Sequence, residues 1–136
     1  RVELMLCFDS NLLGDYLDGA DAAKAFLEGF EAEPWAVPSL VLFEAYMGAI
    51  YGRPRGTVDD VHAATREFEV LAVGDDTVLR AAHLQEDLKS DGVELEFVDA
   101  ILVAAANEHG ATFATNDGGI LDAAVEKRVD VVEYPR

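Results

Sequence analysis

Four acidic side chains stand out by their surroundings. Asp9 closes the apolar stretch LCFD, Asp117 closes ATND, Glu44 interrupts PSLVLFEAYMGA, and Asp99 interrupts FVDAILVAAA. A carboxylate set against buried chain is desolvated at a cost of several kcal/mol unless a cation or hydrogen-bond donors compensate it. For Asp9 a structural explanation is available: Asp9, Ser10 or Asn11 can cap a helix running through Leu12, Leu13, Tyr16 and Leu17. Asp99 lies between Val98 and Ala100-Ile101-Leu102, on a helix that is apolar nearly all round, where a lone acid needs a partner. Carboxylates brought together without bases repel one another and do not all ionise unless divalent cations sit among them. An all-oxygen donor set selects Mg²⁺ or Mn²⁺ over zinc, and His62, His83 and His109 show no matching ligand spacing. A carboxylate-held Mg²⁺ that keeps its waters is suited to phosphate chemistry.

The elements around these acids alternate. An extended stretch from about Glu3 to Phe8 precedes a helix over Asn11 to Leu17, and Ala20 to Glu31 has helical apolar spacing. Trp35 to Pro38 reads as extended because each proline biases its predecessor away from helix. Ser39 is expected to cap a helix ending near Gly52. Thr57 and Asp60 form a capping-box pattern opening a helix to about Phe68. Val70 to Val73 reads as a strand, and Asp75 or Asp76 as the cap of a helix ending at Gly92. Phe97 to His109 reads as a helix closed by Gly110, Ala111 to Thr115 as a strand, Ile120 to Lys127 as a helix, and Asp130 to Glu133 as a last strand. Strands alternating with helices imply an α/β fold with a parallel sheet covered on both faces, whose ligands bind beyond the carboxyl ends of the strands. Asp9 and Asp117 both project there.

Composition narrows the function classes. The 136 residues fit one domain, 1–136, and 51% hydrophobic content excludes a disordered chain. No apolar run is long enough for a membrane span and no signal core is visible, so a soluble cytoplasmic protein is expected. Cys7 is alone and falls in the first strand, which points to a small core residue. Acids outnumber bases 27 to 10, a formal net charge of -17. Such a surface points to a salty, halophilic cytoplasm, where screening lengths fall to roughly 3 Å at 1 M salt. It also argues against a generic nucleic-acid binder with a basic face. Most of the acids, Asp15 and Asp18 among them, read as solvated surface charge.

At the four selected acids the sequence resembles a PIN-domain ribonuclease of the VapC toxin type. The marks are Asp9-Ser10-Asn11 after the first strand, Glu44 early in the helix after the second, Asp99 opening an Ala-rich helix, and Thr115-Asn116-Asp117 after a later strand. The resemblance implies a PIN-like three-layer fold with sheet order 3-2-1-4-5. It implies an Mg²⁺- or Mn²⁺-dependent endoribonuclease, with Asp9, Glu44, Asp99 and Asp117 as metal-binding catalytic residues and RNA as substrate. A cognate antitoxin and a homodimer are implied with it. Asn11 and Thr115 are expected to hold the carboxylates through hydrogen bonds. Glu96, about one turn before Asp99, reads as a solvated helix terminus or an added site acid. Arg53 and Arg55, the densest basic pair, are expected RNA-phosphate contacts. Phe26, Phe30, Trp35, Tyr46 and Tyr51 read by default as core packing, and as apolar surface on which an antitoxin could anchor as the second reading.

Four other readings compete. A haloacid-dehalogenase-like phosphatase needs a second acid where Asn11 stands, and a phosphotransfer receiver needs an acidic pair and a late lysine that are missing here. A PIN fold serving as an inactive binding module, or as a housekeeping RNA-processing nuclease, has the same four marks.

Overall fold

The computed structural model describes residues 4–52 and 56–136. Its elements in chain order are β1 (Met5–Phe8), α1 (Ser10–Leu17), α2 (Asp21–Glu28), β2 (Trp35–Pro38), α3 (Ser39–Tyr51), α4 (Val58–Ala64), β3 (Glu69–Leu71), α5 (Asp75–Lys89), α6 (Phe97–Glu108), β4 (Ala111–Thr115), α7 (Ala123–Glu126) and β5 (Val131–Glu133). The five strands form one all-parallel sheet in the order β3-β2-β1-β4-β5, as the resemblance implies. Strand order reverses at the β1–β4 pair, so these two strands end side by side at the point where such sheets bind ligands. Phe8 is in register with Ala114, and the Asp9 N–H bonds the Ala114 carbonyl, which sets Asp9 beside Thr115.

The core follows from the apolar strands and one all-apolar helix face. Leu6, Cys7, Phe8, Phe113 and Ala114 are buried, as are Ala100 and Leu102 to Ala106 along α6. Small alanines let α6 lie close to the sheet, and Gly110, at φ +68°, takes the left-handed turn that releases the chain into β4. A second cluster is aromatic: the Phe8 ring stands 4.9 Å from Phe68, 5.3 Å from Trp35 and 6.0 Å from Tyr16. Burial of Cys7 pushes its thiol far above the ordinary range, leaving it an inert core residue. Among the described residues no helix is long and apolar enough to cross a membrane.

Several boundaries differ from the sequence expectation, each for a local reason. Ser39 is the first residue of α3 and makes no side-chain cap; Pro38 occupies the cap position. The capping box of Thr57 and Asp60 forms, but α4 stops at Ala64, where the Thr65 hydroxyl turns back onto the Val61 carbonyl. The cap of α5 is Gly74, whose N–H is taken by the Thr77 hydroxyl, and neither Asp75 nor Asp76 fills that role. The last helix contracts to α7, capped by Asp122, since residues 118–121 form turns.

Beyond β5, Tyr134 is fully buried, its ring 5.3 Å from Phe26 and its hydroxyl donating to Asp15 Oδ2 at 2.7 Å. Burial, followed by the bond to Asp15 and its charge, pushes the phenol up to about 12. The folded state therefore holds this proton more tightly than the unfolded chain does. The stabilisation is complete below the ordinary phenol value of about 10 and is lost as pH rises toward about 12. In a phenolate absorbance titration, one tyrosine of the four is expected to ionise last, together with alkaline unfolding, and Tyr134→Phe should remove that phase. Simultaneous titration of all tyrosines near the ordinary value would contradict this.

Candidate functional site

Asp9 leaves β1 as the N-cap of α1, its Oδ1 accepting the Leu12 N–H at 2.8 Å. It is therefore the helix cap and also a buried acid, only 7% exposed. Burial raises its carboxyl above the ordinary value; the Leu12 N–H, the Thr115 hydroxyl, the Asn116 backbone and the charge of Arg136 pull in the other direction. Across the β1–β4 seam, the Thr115 hydroxyl also accepts the Asp117 N–H at 3.0 Å, so one buried threonine touches both strand-end acids. Asp117 is exposed, with Oδ2 accepting the Ile120 N–H at 3.1 Å. A Cβ on Gly119 would stand 3.2 Å from that oxygen, so glycine leaves the carboxylate room.

Asp99 lies in the first turn of α6, half-buried. Burial raises its carboxyl, and the negative charges of Asp117, Glu96 and Asp9 raise it further, in that order. Asp9, Asp99 and Asp117, from three separate elements, thus share one electrostatic field. Glu96 adds to that field from an exposed position at the N-cap of α6.

Glu44, on α3, is exposed and accepts a short hydrogen bond from the Ser10 hydroxyl. Ser10 follows Asp9 directly, so Glu44 is tied to the same chain segment as the strand-end acid. Asn11 donates to the Asn116 side-chain carbonyl at 2.8 Å, bracing α1 against the segment after β4 instead of bonding a carboxylate. Arg53 and Arg55 lie outside the described residues.

Sequence reasoning missed a second cluster on the same side. Asp15, expected as solvated surface, has a side chain only 14% exposed; it receives the Tyr134 hydroxyl and a two-pronged bond from Arg136, Nε at 3.0 Å and Nη2 at 3.1 Å. Its one local signal is helical spacing, four residues after Asn11. A groove of about 600 Å³ runs between α1, α3 and α4, with Ser10, Asn11, Asp15, Glu44 and Arg136 in its wall.

The expected aromatic residues divide between the two readings. Phe26, Phe30 and Trp35 pack against the core, and Tyr46 is half-buried with its hydroxyl 3.1 Å from His62 Nδ1. Tyr51 is exposed, as the docking reading has it, and forms an apolar stripe along one side of α3 with Leu40, Phe43, Met47 and Ile50.

Among the described residues no three His, Cys, Asp or Glu side chains form a compact metal cage. The donors nevertheless suit a hard cation. They are all oxygen, the negative charges of Asp117, Glu96 and Asp9 act together on Asp99, and Mg²⁺ is commonly held by one or two carboxylates together with waters and substrate phosphates.

The family model for the PIN domain matches residues 6–126. No curated protein matches by sequence. Among solved structures, the fold is similar to a toxin-antitoxin complex from Klebsiella pneumoniae, at 23% identity and TM-score 0.73 over 95% of this chain and 97% of that one. It is similar to FitAcB from Neisseria gonorrhoeae, at 20% identity and TM-score 0.74 over 96% and 98%. VapBC2 from Rickettsia felis, bound to a DNA fragment from its promoter, is similar at 16% identity and TM-score 0.73 over 96% and 98%.

Proposed function

Because the chain belongs to the PIN-domain family, we propose that it is an Mg²⁺- or Mn²⁺-dependent endoribonuclease acting as the toxin of a toxin–antitoxin pair. The observation that carries the reading is the shared field of Asp9, Asp99 and Asp117 at the carboxyl ends of β1 and β4. These three carboxylates would hold the metal, which when bound supplies an acidified water and charge neutralisation at the phosphate. Thr115 fixes the strand-end acids from below by its contacts to Asp9 and to the Asp117 backbone. The role proposed for Glu44, which the Ser10 hydroxyl orients, is to align the attacking water and accept its proton. The Asn11–Asn116 bond keeps α1 and the Asp117 segment in register.

The toxin reading draws on the structural neighbours, several of which are toxin–antitoxin complexes. The cognate partner we propose is a small protein whose apolar side chains cover exposed surface beside the site and whose Arg or Lys pairs with the carboxylates. The uncharged stripe of Leu40, Phe43, Met47 and Ile50 on α3 is the proposed homodimer face, since a surface this acidic elsewhere repels a second copy. Arg53 and Arg55 are retained as proposed RNA contacts.

The test is cleavage by the purified chain of transfer RNA with Mg²⁺ or Mn²⁺, with and without EDTA, and of duplex DNA in parallel. Internal RNA cuts that stop with EDTA, beside intact DNA, are expected. RNA left whole at every metal concentration would overturn the nuclease reading. Cleavage by a chain that its host tolerates at high expression without any bound partner would replace the toxin role with RNA processing.

A further inference from the structure

Phosphate approaching this molecule meets a surface with a formal charge of -17. A cation close to the acids is needed to receive it. Arg128 bonds Asp91 and the Ala124 carbonyl, and Lys127 also pairs with Asp91, so both are tied to an acid that is not one of the four. Arg136 differs in three respects. It lies in the wall of the groove with Ser10 and Glu44, its charge acts on Asp9, and its side chain is 50% exposed although its anchor Asp15 is 14% exposed.

We propose that Arg136 is a substrate-binding residue that receives a backbone phosphate of the RNA in the groove beside Glu44. This rests on the nuclease reading above. Asp15 takes the Nε and Nη2 edge of the guanidinium and is itself fixed by the buried Tyr134 hydroxyl. A guanidinium has five N–H donors in a rigid fork. With one edge held by a nearly buried carboxylate, the remaining donors are presented in a fixed direction, and little side-chain entropy is lost when phosphate arrives. Arg136 and the carboxylate-held cation would then grip neighbouring phosphates of one strand, so that the scissile bond is positioned by charge on either side.

The competing role is a clamp, in which Arg136 merely fastens the segment after β5 to α1. Salt dependence separates the two. Binding of a fluorescein-labelled single-stranded oligoribonucleotide is measured against salt concentration in an Asp99→Asn background, which prevents turnover. Adding Arg136→Gln is expected to weaken binding about tenfold at low salt and to reduce the slope of log K against log salt by about 0.7, the loss of one phosphate contact on a single strand. Arg136→Lys should keep most of the slope. Asp15→Asn, which leaves the cation but loosens its mount, should weaken binding about twofold with the slope intact. Melting curves recorded in parallel report the clamp. If Arg136→Gln and Asp15→Asn lower the melting temperature alike while leaving the salt slope unchanged, Arg136 is a clamp and the inference falls. RNA cleavage by the otherwise unaltered chain distinguishes the premises: activity with an unchanged slope overturns the Arg136 assignment alone, and no activity removes the nuclease reading and the assignment with it.

Discussion

Asp99→Asn is expected to reduce metal-dependent RNA cleavage by at least about 100-fold, above the loss typical of groups that only orient metal ligands, while the folded state is unchanged or gains stability. The two halves of this result have one cause. Burial and the charges of Asp117, Glu96 and Asp9 raise the Asp99 carboxyl, so its ionised form is held less well in the folded protein than in the unfolded chain. Such a group costs stability at neutral pH. The cost is absent below the ordinary carboxylate range and develops as pH rises through the raised value. Asparagine keeps the shape and removes the charge, and with it both the cost and the metal donor. Melting temperature and cleavage rate measured on the same preparation check both halves. Asp9→Asn should behave similarly in cleavage, and asparagine there can still cap α1. Full activity in either variant, or inactivity explained by unfolding, would remove the assignment.

Phe8→Ala is expected to cost about 3–5 kcal/mol of folding stability, a large share of the roughly 5–15 kcal/mol typical of a domain. Phe8 is fully buried at the centre of the Tyr16, Trp35 and Phe68 cluster, and it is the residue before Asp9. Its removal leaves a cavity that rings from α1, β2 and the segment before β3 cannot all fill by relaxing. Urea denaturation gives the value directly. A loss below about 1 kcal/mol would mean that the cluster repacks, contrary to the close packing expected of protein interiors. Phe8→Leu should be milder because it retains more of the volume.

Whereas the sheet order follows only from the family resemblance, the alternation of strands and helices and the strand-end acids were legible because they rest on local patterns: apolar runs broken by Asp9 and Asp117, and a helix whose one acid is Asp99. The α5 cap was not, because Thr77, inside the helix, supplies the bond that Asp75 or Asp76 was expected to make. The third strand is Glu69–Leu71 where Val70 to Val73 is expected, because pairing with Ala36 to Pro38 sets its register and ends it two residues earlier. The Glu44–Ser10 bond spans 34 positions, and the Asp15–Arg136 pair spans 121. No local pattern encodes contacts of that length in a chain where acids are everywhere, and so Asp15 looked like surface charge. Phe26, Phe30 and Trp35 pack as their default reading has it, but no local mark distinguishes core from exposed face for them, and the Phe26–Tyr134 contact crosses most of the chain.

The central claim is that the carboxylates at the ends of β1 and β4, with Asp99, hold a divalent cation. An anomalous-difference map from a manganese-soaked crystal tests it most directly. The expected result is a peak bonded to oxygen atoms of at least two among Asp9, Asp99 and Asp117, lost in Asp99→Asn crystals. Manganese bound only elsewhere, or a peak at these residues that persists unchanged in Asp99→Asn, would contradict it.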